Sequence, residues 1–214
     1  MPGLINMSTR SFVLSVPSLD PIRDAIASQD ESLVEALVEI NRLELEKEYG
    51  KNPDEDEQEE IEEQMEECRE HVEGMVMCDS PPDKEPGAWN YLVTALIDHF
   101  QMKKFWKYPI NQDWKHYYIW EPYRGEIYER ISPEANKLLM HLEKGRPFKG
   151  TGIDYDGCVF AWLTLEEVQT LHDALQPLDT SQFSEDYFQE FHQQLVETLA
   201  GVAQREHELF LKAH

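Results

Sequence analysis

Cys68 and His71 stand three residues apart and Cys78 follows seven residues later, a set of thiols and imidazole of the kind that holds zinc. No second C-x-x-C or H-x-x-x-H lies at a useful distance, and Cys68 falls on a stripe of apolar residues, so it reads as a core cysteine and no metal is expected. Asp154-Tyr155-Asp156-Gly157 has the acidity of a calcium loop, but Val159 and Leu165 occupy positions where oxygen ligands are required. Two histidines have carboxylates beside them for acid–base work: His99 follows Asp98, and His172 lies near Glu166 and Glu167. No nucleophile motif accompanies them, since G-x-S-x-G, H-E-x-x-H and S-x-x-K are all missing. The phosphate-cradling patterns G-x-G-x-x-G and G-x-x-x-x-G-K-[ST] are missing too, and no cofactor is expected. Cys158 sits in an apolar run, where burial raises a thiol's pKa and makes it inert.

Two segments stand out by charge instead. Asp54 to Glu70 carries eleven acids in seventeen residues with a single base, Arg69. From Ile61 onward Met65, Cys68, Val72 and Met75 recur at spacings of four, three, four and three, which defines one stripe of a helix. Glu59, Glu62, Glu63, Glu66 and Glu70 then lie on the other face and form the candidate partner-binding surface. Residues 102–150 are the opposite case, with ten bases against six acids and ten aromatic residues. Trp106, Lys107, Trp114, Lys115, Tyr118 and Arg124 are an alternative surface, because bases interleaved with exposed aromatics can track a backbone of phosphates and stack on its bases. The plainer reading is that these aromatics fill the core while their basic neighbours pair with acidic helices.

Forty-three acids against nineteen bases give a formal charge of −24. Such a chain repels nucleic acid and anionic membranes within a Debye length, about 8 Å at physiological salt, and attracts a basic partner over long range.

The elements that must hold these residues follow from periodicity and punctuation. Ser11–Val16 alternates as a half-buried strand, Asp20-Pro21 opens a short helix, and Ser28-Gln29-Asp30-Glu31 has the form of a capping box before a helix to about Tyr49 and Gly50. Pro53 interrupts, and repulsion among the carboxylates of Asp54–Gln58 predicts a mobile entry with the ordered helix beginning near Glu59 to Ile61. A loop spans Asp79–Gly87, and a core helix runs from Ala88 to Phe105. Tyr117–Glu121 has the aromatic and β-branched content of a strand. Ser132-Pro133-Glu134 starts a helix that ends near Gly145, Arg146–Gly157 is a loop, and Cys158–Trp162 is a buried strand. Thr164-Leu165-Glu166-Glu167 is a second capping box, and a long last helix opens at Ser184 and carries Phe188, Phe191, Leu195, Leu199, Val202 and Phe210. Trp89, Ile97, Phe160, Trp162 and Phe191 are expected to be buried together. The sum is an α+β, predominantly helical fold, with a small two- or three-stranded sheet packed with about six helices. It reads as a single domain over 1–214, with an acidic helical elaboration at about 51–80.

No run of about 18 apolar residues occurs, and MPGLINMSTRSFVLSV lacks the apolar stretch of a signal peptide; with three sparsely placed cysteines this predicts reduced thiols, no membrane and a cytoplasmic location. The phrases SFVLSVPSLDPIRDAIASQDESLVEAL, PGAWNYLVTALIDHF and FAWLTLEEVQTLHDAL, in that order, resemble an uncharacterised family of bacterial domains of unknown function over about a third of the chain. What the resemblance implies is an N-terminal strand, a helix opened by S-x-D and a late aromatic-L-T-x-E-E-V helix start; it implies no site residues. The function expected is an acidic, non-enzymatic interaction module that binds a basic protein in an inhibitory, immunity-like or regulatory complex. The alternatives are a small enzyme with a His/carboxylate pocket near the aromatic centre, and single-stranded nucleic-acid binding through residues 103–130.

Overall fold

In the computed structural model, residues 11–50, 53–78, 86–102, 106–110, 116–148 and 159–213 are described, with backbone alone for 86–91, 106–110 and 117. They form strands β1 (Ser11–Val16), β2 (Trp106–Ile110), β3 (Val159–Leu163) and β4 (Glu208–Ala213), and helices α1 (Asp20–Ala25), α2 (Glu31–Tyr49), α3 (Glu55–Val76), α4 (Pro86–His99), α5 (His116–Ile127), α6 (Pro133–Lys144), α7 (Leu165–Leu175) and α8 (Asp186–Gln204). The fold is α+β and predominantly helical, and no helix among the described residues is long and apolar enough to cross a membrane. The chain divides into two compact units: Met1–Leu19, Phe105–Arg146 and Tyr155–His214 make the first, and Asp20–Lys104 with Pro147–Asp154 make the second.

The first unit is built on an antiparallel sheet of order β2-β1-β4-β3. Four strands stand where two or three were expected. Two strands were not foreseen: β2, whose residues follow directly on the helix expected to reach Phe105, and β4, because Phe210 continues the helical stripe of Val202 and no Gly or Pro marks the break. The helix instead stops at Gln204, and Glu206 takes a left-handed φ of 56°. From Glu208 the period becomes two: Leu209, Leu211 and Ala213 face the core and Phe210 and Lys212 the other side. Hydrogen bonds to β1 on one side and β3 on the other make β4 an interior strand.

Tyr117–Glu121 is helical rather than extended, and belongs to α5. Ile119, Trp120, Tyr123 and Ile127 recur at helical spacing and are all buried, so core packing overrides the β propensity of the segment. Pro122 lies inside this helix but on its exposed side, where the missing hydrogen bond costs least. Over one face of the sheet, α5 joins α6 (Leu138, Leu139, Leu142), α7 (Val168, Leu171, Leu175) and α8 (Phe188, Phe191, Leu195, Leu199) in a single apolar cluster. Ser132 and Gly145 cap α6, and Thr164 with Glu167 forms a capping box on α7, as their residue types predict.

The second unit is helical. Its α2 is capped by Asp30, which accepts from the N–H groups of Ser32 and Leu33, rather than by Ser28; Ala27 and Gln29 have left-handed φ values of 58° and 59°, which takes Ser28 off the helix entrance. That turn has a purpose elsewhere: the N–H groups of Ala27 and Gln29 donate to the carbonyls of Met75 and Val76, both at 2.9 Å. Two of the carbonyls that the end of α3 would leave orphaned are thereby satisfied. The other end of α3 begins at Glu55 and not near Glu59 to Ile61. Asp54 accepts from the Glu57 N–H at 3.0 Å while Glu57 accepts from the Asp54 N–H at 2.8 Å, and carboxylates in a first turn are favoured by the helix dipole. These terms outweigh the mutual repulsion that argued for a frayed entry. The core helix expected to reach Phe105 ends at His99, after which Gln101 has φ 55° and β2 begins at Trp106.

The five residues expected in one core separate accordingly. Phe191 lies in the cluster over the sheet, whereas Phe160 is on the opposite sheet face, 5.8 Å from the ring of Phe210. Trp162 is half-buried under the guanidinium of Arg146, and Ile97 is buried in the second unit. The side chain of Trp89 lies outside the described residues.

Candidate functional site: an acidic helix face and a buried polar network

α2 and α3 pack antiparallel, as the contacts Tyr49–Gln64, Asn41–Met65 and Glu35–Arg69 show. Cys68, Val72, Met75 and Val76 of α3 are buried, and Ile61 and Met65 of the same stripe are half-buried. At 100° per residue the opposite meridian is occupied by Glu59, Glu62, Glu63, Glu66 and Glu70, and all five are exposed. None has an ion-pair partner among the described residues. The bases nearby are committed: Arg69 makes a bidentate pair with Glu35 at 2.7 and 2.9 Å, and Arg42 lies between Glu39 and Glu46. Hydrogen bonding to those carboxylates raises the pKa of both guanidiniums, and the same bonds lower those of Glu35 and Glu39. The sequence-predicted partner face is therefore brought together as one line of carboxylates about 17 Å long.

The alternative surface is not assembled to the same degree. Trp106 and Lys107 lie on the edge strand β2, their side chains outside the described residues, as are Trp114 and Lys115 altogether. Tyr118 is exposed, but Arg124 is six positions further along α5, on another side of the helix. Arg124 is also engaged, its Nε donating to the buried carboxylate of Glu143. Trp120 and Tyr123 of the same segment are core residues.

Burial of polar groups is concentrated in the first unit, which sequence reasoning did not foresee. Ser11, on β1, lies 2.7 Å from Nδ1 of His116, whose Nε2 is 2.8 Å from the carbonyl of Glu143. A carbonyl only accepts, so Nε2 carries the proton and Nδ1 accepts from the Ser11 hydroxyl. Burial lowers the pKa of His116 to about 4, which keeps that neutral tautomer at pH 7. Tyr123 and His192 form a second buried pair, with 2.6 Å between the phenol oxygen and Nδ1. Burial pushes the phenol far above its ordinary range and holds the imidazole at about 4, where nearby Arg130 adds to the effect. Each arrangement resembles a hydroxyl activated by a histidine base, yet Ser11, His116, Tyr123 and His192 are all buried. As built, they cross-link β1, α5, α6 and α8. The alternation of Ser11 and Ser15 with Phe12 and Leu14 pointed the other way, to hydroxyls on a solvent face, whereas Ser11, Val13 and Ser15 are buried and Phe12 is exposed.

The remaining candidates disperse. Cys68 is buried, which raises its thiol pKa; His71 is half-buried and Cys78 exposed. Among the described residues no group of three His, Cys, Asp or Glu could hold a metal ion, and 154–157 lies outside them. His99 lines a cleft with Asp24 and Asp30. The carboxylate at His172 is that of Asp173, at 3.2 Å, while Glu167 binds Arg146 and the Thr164 N–H. Comparisons with protein families, with curated proteins and with solved structures return no match.

Proposed function

We propose that this chain is an acidic protein-interaction module whose α3 face engages a basic protein partner in an inhibitory, immunity-like or regulatory complex. One observation carries the reading: Glu59, Glu62, Glu63, Glu66 and Glu70 are exposed along one line of a packed helix, with no ion-pair partner among the described residues. Like charges at i,i+4 oppose helix formation, so the line is a cost to the free molecule that a basic partner would offset. Free thiols at Cys68 and Cys78 accord with a cytoplasmic setting.

The test uses whichever partner is recovered by affinity capture from the native cell and identified by mass spectrometry. Replacing Glu62, Glu63, Glu66 and Glu70 with Gln is expected to slow association at low salt by about tenfold while dissociation changes little, because long-range attraction acts before contact. Raising salt should do the same to the unaltered protein. Equal association rates and equal salt slopes for the two proteins would remove the acidic face from the mechanism.

A further inference from the structure

The apolar stripe of α3 outlasts its cover. Cys68, Val72 and Met75 are buried, but toward the start of the helix Ile61 and Met65 are only half-buried, and Leu43, facing them from α2, is 42% exposed. These three side chains line a groove of about 850 Å³ at the end of the helix pair where the chain passes from α2 to α3. Its two rims differ in charge. On the α3 side stands Glu62, exposed and without an ion-pair partner among the described residues. On the α2 side Arg42 is held by Glu39 and Glu46, and Lys47 follows them.

We infer that this groove receives an amphipathic basic helix of a partner protein, its apolar side chains on Leu43, Ile61 and Met65 and its Lys or Arg edge at Glu62, the end of the acidic face that borders the groove. The inference rests on the acidic-face reading and adds to it the shape of what binds. The stretch from Gln58 to Met65 rises about 10 Å, two helical turns, which matches apolar side chains at i, i+3 or i+4 and i+7 on a helix laid alongside. The charge asymmetry sets the orientation, since a basic edge facing α2 would meet Lys47. A second copy of this chain is a poorer occupant, because its own α3 would bring like charge to the same rim.

The probes are a peptide of about 18 residues with leucines at helical spacing on one face and lysines along its edge, and a scrambled peptide of the same composition. Binding is followed by fluorescence anisotropy on the full chain. The amphipathic peptide is expected to bind about tenfold more tightly than the scramble. Leu43→Ser should remove that advantage and leave the scramble unaffected, whereas Leu43→Met should retain it; both substitutions fall at one position that is 42% exposed, so folding is expected to stay intact. Equal binding of the two peptides, or indifference to Leu43→Ser, overturns the inference. If replacing all five glutamates with Gln still weakens both peptides in that case, the acidic-face reading survives alone. Should the Gln variant bind both peptides as before, the reading and the inference fall together. Concentration-dependent self-association that Leu43→Ser abolishes would assign the groove to a second copy and likewise overturn the proposal.

Discussion

The two units solve the placement of polar groups in opposite ways. Every buried polar or charged residue among those described (Ser11, Ser15, His116, Asn136, Glu143, His192 and Thr198) belongs to the first unit, and none to the second. The second instead puts its polarity outside, with 26 acids against nine bases, where the first has 17 against ten. A sheet flanked by helices needs its buried hydroxyls and imidazoles matched across elements distant in sequence, and each match fixes a register. A helical unit with an apolar seam needs no such matching, so its surface is free to carry charge for another purpose. The first unit thus resembles a scaffold specified from within, and the second carries its charge on the outside, where the proposed partner would meet it.

The comparison breaks if the first unit can lose its interior without consequence. Phe191 contacts Trp120 and Tyr123 edge-on, at centroid distances of 5.0 and 4.8 Å. Phe191→Ala should therefore cost about 3–5 kcal/mol, read from the urea midpoint at constant slope, and a loss below about 1 kcal/mol would make α8 peripheral. Next in size is the Arg124–Glu143 pair. Glu143 is 2% exposed, so Arg124→Met leaves its buried carboxylate with only Lys144, at 3.7 Å, as an ion-pair partner among the described residues and should cost about 3 kcal/mol, whereas Arg124→Met with Glu143→Leu should recover most of that loss.

Acid should separate the units. His116 and His192 have folded pKa values near 4, depressed from 6.5, so the unfolded chain binds their protons first as pH falls. Their neutral burial carries no penalty above pH 6.5, and stability then declines down to about pH 4. The loss is about 2 kcal/mol per ring by pH 5, and replacing His192 with Phe should remove its share of the slope even where the variant is less stable at pH 7. Carboxylates whose pKa is lowered act in a different window. At Glu167, burial works upward, but the Arg146 guanidinium and the Thr164 N–H outweigh it, and stability from such groups is lost only below about pH 4.5. A stability curve flat between pH 6.5 and 5 would mean that the two histidines are not buried as neutral rings.

Much of this fold could be read from local patterns, and where reading failed the cause was nonlocal. β1, α6 and α7 fell within a residue of their predicted bounds because alternation, Ser132-Pro133 and Thr164–Glu167 are self-contained signals. α5 and β4 were misread because their periodicity is ambiguous over five or six residues and only packing against distant elements decides it. The entrance of α2 depended on a turn whose amides serve α3, a relation no window of sequence contains. The same division holds for the sites. A line of glutamates opposite an apolar stripe is visible from spacing alone, whereas the Ser11–His116 contact joins residues 105 apart.

The smallest expected effect bears most directly on what the acidic line is for. Along α3, Glu59 and Glu63, Glu62 and Glu66, and Glu66 and Glu70 are i,i+4 pairs of like charge, and each such pair costs an isolated helix about 0.2–0.5 kcal/mol at low salt. Replacing the five glutamates with Gln keeps helix propensity and side-chain length nearly constant, so the removal of repulsion is what remains. The free protein should become slightly more stable, with a raised urea midpoint at low salt and a difference that shrinks as screening grows. Slower partner association in the same variant would then mean that the carboxylates are retained against stability. The opposite sign, a variant less stable than the parent, would show that these glutamates have cations of their own within the folded chain. The second unit would then be as internally satisfied as the first, and the contrast between them would dissolve.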